Sequence, residues 1–446
     1  MTTSDCTPNF LCLQAGRKII LRLEDHVFER MTQVASTTIS KYPPYMSGHS
    51  FEALYQGKAL LEMTGEKHYE VTYDQTVYDP ATNYNNSPEL MFEAEQYLHV
   101  YRMLPDGNGN GKVLDGALIK AFIGQVINLI IEKDINVLST FYLDPHAYIA
   151  NQAKWYAQVV LGKKIITAHK AVGSDVLNSI ANHRTDGAGK FLLLQLLSGD
   201  LMLAVSQFTK DKILEYAQDL LPLRFSEQMA AEMHVLYAPF HNTYYLERDD
   251  EQLHALKEKF HIPDHRKIIS YFGRLFPEKG VEDLLAAFAL LKPSHPDTLL
   301  VIGGHGISLD GLKRSVQMQD IPDVIFTDAV SNSEKRALMH LSYVGVIPTK
   351  PILNFVETLC ISALEYQAAG VPLVTTRVGG VPEAAGSHSL YATPSSPDDL
   401  AEKIALVLAN QVDRQAMIET GIEHVQQFNY STITKTFVQY LAVCHP

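Results

Sequence analysis

The stretch KIISYFGRLFPEKGVEDLLAAFALL, Lys267–Leu291, passes from a short apolar run through a glycine turn into a segment with helical periodicity. A near-continuous apolar strand followed by an amphipathic helix is the repeating unit of a parallel sheet covered by helices on both faces. Similar apolar runs recur along the chain, at residues 165–168, 201–206, 297–304, 344–349 and 371–376. The pattern predicts a doubly wound α/β fold.

Length and composition predict two such units. The chain has 446 residues, of which 46% are hydrophobic and 20% are charged, as in an ordinary globular protein. The alternation of strands and helices pauses over residues 239–265, which are polar and charged and indicate a linker. Ligands bind outside the carboxyl ends of the strands in such sheets, so two facing domains predict a ligand in the central cleft between them.

Charge and cysteine usage narrow the classes of partner. The formal net charge of -13 argues against a broad nucleic-acid surface and weakly against attachment to anionic lipid. The four cysteines form no C-x-x-C pair, and the N-terminus does not resemble a secretory signal. We therefore expect a reduced, cytoplasmic setting with at most peripheral membrane contact. The sequence does not indicate an oligomeric state.

Two glutamates, Glu357 and Glu365, have seven residues between them in a stretch that is otherwise core-like. The helical pattern begins at about Leu359, so Glu357 precedes the helix and Glu365 lies two turns inside it. Eight helical residues span roughly 12 Å, the scale of a nucleotide sugar from hexose to ribose. The free backbone N–H groups between the two carboxylates suit a diphosphate. On spacing alone, a helix with one acidic N-terminal charge and one solvated glutamate is equally consistent.

Two cations follow the strand of the opening stretch. Arg274 and Lys279 lie in the connection after the Gly273 turn, on the side that faces the cleft. Two positive charges at this place would neutralise a diphosphate leaving group. A solvated, charged loop is the alternative interpretation, and the two cations alone favour it.

The combination of motifs resembles a known family. G-R-L-x-x-x-K-G (Gly273–Gly280), VIGGHG (Val301–Gly306), the two spaced glutamates and AAGVPLVTTRVGGVPE (Ala368–Glu383) look like the family-four retaining glycosyltransferases with the GT-B fold. The resemblance implies two Rossmann-like domains. Residues 1–262 would bind the acceptor, residues 263–429 would bind the nucleotide sugar, and a last helix at 430–446 would pack back on the first domain.

The resemblance also implies the reaction, which moves a hexose-type sugar from a nucleotide diphosphate donor to a hydroxyl acceptor with retention at the anomeric carbon. No protein nucleophile, metal ion or cofactor would be needed. Glu357 would hold the sugar and Glu365 the ribose. The implied catalytic residues are Arg274, Lys279, Glu357 and His169, and the implied donor-binding residues are Gly48, Gly273, Val330, Thr358, Leu359, Cys360 and Glu365.

The N-terminal half carries a looser resemblance. Residues 42–75 resemble the family's first glycine loop and helix, with Gly48-His49 where a Gly-Gly pair is usual. His169 follows an apolar strand, so we expect it to project into the cleft, although a lone histidine is more often structural. Asp144 and His146 are candidates on the acceptor side, and Ser206 is expected to cap a helix.

Three further features leave questions open. Cys360 and Asp328 stand where the family commonly has glycine, which affects the sugar pocket and the loop that holds the base. DGNGNGKVLDGA, residues 106–117, begins like a calcium loop, but Ala117 occupies the twelfth position, where a bidentate glutamate belongs. We interpret it as a turn before a helix at Leu118–Ile131.

Two other functions stay open at this level. A phosphorylase on the same fold would use free phosphate to cleave a glycoside, and a binding protein would hold a nucleotide sugar without turnover. Slow donor hydrolysis would separate an enzyme from a binder, and dependence on phosphate would identify the phosphorylase. The sequence names neither the sugar, the base nor the acceptor.

Overall fold

A computed structural model describes residues 11–14, 17–20, 34–37, 48–73, 96–103, 116–141, 143–352 and 355–444. Most of the calcium-like stretch and of the first glycine loop, residues 106–115 and 42–47, lies outside the described residues. No helix within the described ranges is long and apolar enough to cross a membrane.

The first domain is built on a parallel sheet rich in buried aliphatic side chains. Its strands run in the order β5-β4-β3-β6-β7-β8-β9, so the winding direction reverses between β3 and β6. A separate antiparallel pair precedes it, formed by β1 (Leu11–Gln14) and β2 (Arg17–Ile20). The strands of the main sheet are β3 (Val34–Thr37), β4 (His68–Tyr73), β5 (Leu98–Met103), β6 (Val137–Thr140), β7 (Ile166–Ala171), β8 (Leu201–Ala204) and β9 (Met233–Val235).

Helices connect these strands and cover both faces of the sheet. The predicted helix at residues 118–131 is present with slightly wider bounds. The described helices of this half are α1 (Gly48–Thr64), α2 (Gly116–Glu132), α3 (His146–Val159), α4 (Ser174–Asn182), α5 (Ala188–Leu197), α6 (Gln207–Leu220) and α7 (Leu223–Glu232).

The second domain repeats the architecture. Its parallel sheet has the order β12-β11-β10-β13-β14-β15, and the winding direction reverses between β10 and β13. The strands are β10 (Lys267–Phe272), β11 (Thr298–Gly303), β12 (Val324–Asp328), β13 (Val344–Ile347), β14 (Leu373–Thr376) and β15 (Leu390–Ala392). The predicted fold class, two doubly wound domains, is confirmed.

The helices of the second half include two in the linker, where the sequence pattern indicated only a polar break. They are α8 (Asn242–Leu246), α9 (Asp250–Lys259), α10 (Val281–Leu291), α11 (Leu309–Met318), α12 (Asn332–His340), α13 (Ile361–Ala368), α14 (Val381–Ala385), α15 (Pro397–Leu408), α16 (Arg414–His424) and α17 (Tyr430–Cys444). Helix α9 buries Leu253 and Leu256 and packs against α12, so this part of the linker lies on the second domain.

The chain crosses between the domains at two adjacent points. The Phe240 N–H donates to the Phe428 carbonyl at 2.8 Å, and the Tyr430 N–H donates to the Phe240 carbonyl at 3.0 Å. After this second crossing α17 packs against α1 and the first sheet, burying Phe437 and Leu441. The two segments that connect the domains are therefore hydrogen-bonded to each other.

Candidate active site

The two residues expected to handle phosphate and sugar meet at the point where the second sheet reverses direction. Lys279 lies in the connection after β10, and Glu357 lies in the connection after the neighbouring strand β13. The Lys279 ammonium donates a hydrogen bond to the Glu357 carboxylate, and the side chains are 13% and 15% exposed. Such reversal points are where doubly wound sheets bind ligands.

The position of Lys279 depends on a close backbone contact. Lys279 ends a 3₁₀ turn, and Gly280 follows with a φ of 66°. A Cβ atom at Gly280 would lie 2.0 Å from the Pro348 carbonyl oxygen, so only glycine fits there. The Lys350 N–H also donates to the Glu278 carbonyl at 3.0 Å. The turn is thus docked on the exit from β13, which brings Lys279 to Glu357.

Glu357 is supported from behind by the glycine pair of the VGGVPE segment. The Gly380 N–H donates to the Glu357 carbonyl at 2.8 Å. Gly379 has a φ of 55°, and a Cβ atom there would lie 2.1 Å from the same carbonyl oxygen. In the sequence these glycines are recognisable only as part of a family motif. Their function here is to let the turn after β14 approach the backbone of Glu357.

The segment between the two glutamates is less helical than expected. Helix α13 begins at Ile361, two residues later than predicted, with Cys360 at the N-cap and no side-chain capping bond. The side chains of Thr358, Leu359 and Cys360 are buried. A ligand beside the helix would therefore meet backbone N–H groups rather than these side chains. Burial, followed by the negative charge of Glu357, raises the pKa of the Cys360 thiol to about 12, so the thiol stays protonated.

Glu365 is not solvated, which excludes the alternative drawn from spacing alone. Its side chain is 9% exposed, and its Oε1 accepts hydrogen bonds from the Tyr245 hydroxyl at 2.6 Å and the Lys335 ammonium at 2.7 Å. Burial and the nearby Glu365 charge raise the pKa of Tyr245, so the tyrosine acts as the donor. Sequence reasoning missed Tyr245 and Lys335, because they come from the linker helix α8 and from α12.

Arg274 remains accessible at the same edge of the sheet. Its side chain is exposed, its guanidinium stacks over the Phe276 ring at 5.3 Å, and it makes no salt bridge with any residue that the structure describes. The backbone is fixed by the Tyr271 hydroxyl, which donates to the Arg274 carbonyl at 2.8 Å. Gly273 begins this connection, and its N–H donates to the Gly303 carbonyl at 3.1 Å. The cation is thus held on an ordered turn and is open to an anion.

The loop expected to hold the base follows β12. Asp328 has a φ of 56°, a left-handed conformation that favours glycine and that aspartate tolerates better than most residues. Its carboxylate pairs with Lys313 at 2.6 Å. Val330 is half-buried beside the hydrophobic cluster that spans both domains. The departure from glycine therefore leaves the backbone conformation intact and adds a charged pair.

The expected position of His169 was wrong. The strand β7 continues to Ala171, so His169 lies inside it rather than after it, and its ring is fully buried. The ring nitrogens contact the Thr140 hydroxyl and the Asn151 side-chain oxygen, both at 2.9 Å. Burial, aided by the positive charge of Lys154, lowers the pKa of His169 to about 3. The imidazole is a neutral, satisfied core group and does not project into the cleft.

The other four candidates of the first domain, His146, Asp144, Gly48 and Ser206, differ in their surroundings. His146 is fully buried at the start of α3, with its ring edge-on to Phe122 at 5.6 Å, so it cannot meet an acceptor in this arrangement. Asp144 is exposed directly after β6, where the first sheet reverses direction. Gly48 is the first residue of α1. The expected cap is confirmed: Ser206 accepts from the Thr209 N–H at 3.1 Å.

The first domain also contains a fully buried ion pair, between β7 and α1. The Lys170 ammonium donates to the Glu52 carboxylate at 2.6 Å, and the two side chains are 2% and 1% exposed. Lys170 also donates to the Tyr237 carbonyl at 3.0 Å. The pair joins β7 to α1, and sequence reasoning gave no sign of it.

The carboxyl edges of the two sheets face each other. Glu383, which follows β14, accepts hydrogen bonds from the N–H groups of Gln207 at 2.7 Å and Phe208 at 2.8 Å, which follow β8. The groups gathered at the second sheet edge therefore open toward the first domain. Within the described residues, no group of three or more histidine, cysteine, aspartate or glutamate side chains is arranged to hold a metal ion.

Comparison with known proteins identifies similar sequences and structures. The family model for glycosyl transferases group 1 matches residues 254–424, which include Arg274, Lys279, Glu357 and Glu365. A glycogen synthase of Mycobacterium tuberculosis is 32% identical over 177 residues, which cover 39% of this chain and 42% of that protein. A D-inositol 3-phosphate glycosyltransferase of Corynebacterium glutamicum is 26% identical over 302 residues, which cover 64% of this chain and 68% of that protein.

Solved structures extend the likeness to the first domain. Alr3699/HepE of Anabaena, crystallised with UDP-glucose, superposes with a TM-score of 0.68 at 14% identity, covering 92% of this chain and 99% of the other. The chain spans about two fifths of the glycogen synthase that it matches. The fold similarity, by contrast, includes both domains. Residues 254–424 are therefore similar to the group 1 glycosyltransferases, and the chain as a whole has the two-domain GT-B fold.

Proposed function

We propose that this protein is a retaining glycosyltransferase that moves a hexose-type sugar from a nucleotide diphosphate sugar to a hydroxyl acceptor. The observation that carries the proposal is the meeting of Lys279 and Glu357 at the reversal point of the second sheet. A cation for phosphate and a carboxylate for sugar hydroxyls lie there within hydrogen-bonding distance, immediately before a helix N-terminus.

The ion pair also suggests how the site responds to its donor. Without a ligand, Lys279 and Glu357 neutralise each other. A bound diphosphate would offer Lys279 a second anion, while the sugar hydroxyls would offer Glu357 new hydrogen-bond donors. Arg274, which is exposed and open to an anion, would contact the same diphosphate. Glu365 would accept hydrogen bonds from the ribose through the oxygen that Tyr245 and Lys335 leave available.

In the proposed reaction the bond between the anomeric carbon and the diphosphate oxygen breaks, and a bond from that carbon to the acceptor oxygen forms on the same face. The acceptor hydroxyl gives its proton to an oxygen of the departing diphosphate. Positive charge builds on the sugar ring while negative charge builds on the leaving group. Lys279, Arg274 and the backbone N–H groups at the start of α13 would stabilise the leaving group. No protein nucleophile and no metal ion is required in this scheme.

The class of donor is inferred from a solved protein of similar fold rather than from sequence identity. Alr3699/HepE was solved with UDP-glucose, and it shares the two-domain fold with this chain. We propose a nucleotide sugar of the same chemical class here, with its base beside the loop at Asp328–Val330. Asp144 would lie on the acceptor side, because it follows β6 at the reversal point of the opposite sheet.

Turnover can be tested before the acceptor is known. The protein should be incubated with a panel of UDP- and GDP-sugars, and release of nucleoside diphosphate followed by phosphorus NMR with and without free phosphate. We expect slow hydrolysis of one donor, independent of phosphate, with the anomeric configuration of the released sugar retained in the proton spectrum. Release only with phosphate and a glycoside would favour a phosphorylase. Binding without any release would contradict the enzymatic proposal.

A further inference from the structure

Glu383 is the last residue of the VGGVPE segment, and the proposed chemistry gives it no role. It lies in the short helix α14, three residues after the glycine turn that packs against Glu357. Its side chain extends from the second domain and contacts the first. This contact distinguishes it from the other acidic residues around the donor site.

The contact is bidentate. One carboxylate oxygen accepts from the Gln207 N–H at 2.7 Å, and the other accepts from the Phe208 N–H at 2.8 Å. These are the first two N–H groups of α6, and Ser206 satisfies the third, that of Thr209, at 3.1 Å. A helix needs partners for these groups, and a negative charge at its N-terminus is favourable. The second domain therefore satisfies the two N–H groups of α6 that the Ser206 cap does not reach.

Tyr237, which lies near the first crossing between the domains, also contacts Glu383. Burial, together with the charge of Glu383 and a hydrogen bond to it, raises the pKa of the Tyr237 hydroxyl to about 12. The Tyr237 ring packs against Phe428 with centroids 4.7 Å apart, next to the point where the chain crosses back. The contact is thus braced by residues beside both crossings.

One hydrogen bond and three residues of backbone link this contact to Glu357. The Gly380 N–H donates a hydrogen bond to the Glu357 carbonyl, and Glu383 follows Gly380 three residues later, on α14. A displacement of the first domain at α6 would be transmitted to the backbone that carries Glu357. We propose that Glu383 is a positioning residue: by capping α6 across the cleft, it fixes the first domain relative to Glu357 and Lys279. The effect on catalysis rests on the proposed function, whereas the contact itself does not.

Hydrogen exchange at the first turn of α6 tests the contact directly. Mass spectrometry of the full chain should compare the wild type, Glu383→Gln, Glu383→Ala and the control Glu402→Gln. Glu402 is an exposed glutamate of α15 in the same domain, and its carboxylate pairs with the neighbouring Lys403. We expect exchange at Gln207 and Phe208 to rise about tenfold or more in Glu383→Ala, less in Glu383→Gln, and to stay unchanged in the control. Unchanged exchange in Glu383→Ala would overturn the proposal.

Kinetics test the positioning role. For Glu383→Gln we expect the kcat of donor hydrolysis to fall about tenfold, with the Kd for the nucleoside diphosphate within twofold of wild type, because the donor residues are untouched. Faster exchange with an unchanged kcat would refute positioning while leaving the contact in place. If the wild type turns over no donor, the proposed function fails, and the exchange measurement still decides whether the cap exists.

Discussion

Each domain contains a lysine–glutamate pair, and the two pairs differ in their surroundings. Lys170 and Glu52 are almost completely buried, whereas Lys279 and Glu357 keep 13% and 15% of their side-chain surface. Lys170 lies within a strand, and Lys279 lies in the connection after one. The same chemistry is therefore structural in the first domain and open to a ligand in the second. Position relative to the strand end, rather than residue type, separates the two.

The comparison predicts that changes to the first pair act on stability and changes to the second act on activity. The largest effect is expected for Lys170→Met, which leaves the Glu52 carboxylate buried without its cation. The free energy of unfolding should fall by about 3–5 kcal/mol in urea denaturation. The double variant Glu52→Gln/Lys170→Met should recover a large part of this loss. A single variant as stable as the wild type would show that the buried pair does not hold β7 to α1.

Lys279→Ala should produce the next largest effect, this time on turnover. Removing a cation that stabilises the leaving diphosphate should lower kcat by roughly 10²–10³-fold. The free energy of unfolding should change far less than in Lys170→Met, because the unpaired Glu357 can reach water. Donor hydrolysis and urea denaturation measure the two quantities. Full activity in this variant would refute the phosphate assignment.

Glu365→Gln tests whether this residue contributes to donor binding rather than to turnover. If Glu365 binds the ribose as proposed, loss of its charge should raise the KM for the donor by roughly 10–100-fold while kcat changes little, since the proposed ribose position is away from the reacting carbon. Tyr245→Phe, which keeps the Glu365 charge and removes one of its donors, should raise KM by only about fivefold. A fall in kcat at constant KM in Glu365→Gln would place this residue at the sugar instead.

The last prediction concerns His169 and depends on pH. Its pKa in the folded protein is about 3, lowered from an ordinary value of 6.5, so the unfolded chain takes up this proton first as the pH falls. The stability that the neutral ring provides is present above pH 6.5 and is lost as the pH falls toward 3.

Comparison with His169→Gln isolates this contribution from the other histidines. Between pH 6 and 4 the unfolding free energy of the wild type should fall more steeply than that of the variant, by up to about 1.4 kcal/mol per pH unit. Equal slopes would show that His169 exchanges protons freely and is not the buried group described above.

The sequence predicted where Lys279 and Glu357 lie in the second domain, because both residues follow strands with clear ends. Glu357 and Lys279 each come after an apolar run, and parallel strands bring such residues to one sheet edge. His169 was misplaced because the run at 165–168 was taken to end the strand, which in fact continues to Ala171. An error of three residues at a strand end turns a cleft residue into a core residue.

The remaining features depend on contacts between distant segments. Tyr245 and Lys335 approach Glu365 from the linker and from α12, and Glu383 reaches the first domain. No local periodicity encodes such pairs, so they become visible only when the domains are placed together. The glycine pair at Gly379–Gly380 is intermediate. The motif that contains it is visible in the sequence, whereas the need for glycine there follows from the short distance to the Glu357 carbonyl in the structure.

The central claim is that the second domain binds a nucleotide sugar at the reversal point of its sheet. Calorimetric titration of the wild type and Glu365→Gln with a panel of UDP- and GDP-sugars tests it most directly, with Glu402→Gln as a control for the lost charge. We expect one donor to bind the wild type and the control with the same micromolar Kd and to bind Glu365→Gln more weakly. Absence of binding by every donor, or equal binding to Glu365→Gln, would refute a nucleotide-sugar site at this sheet edge.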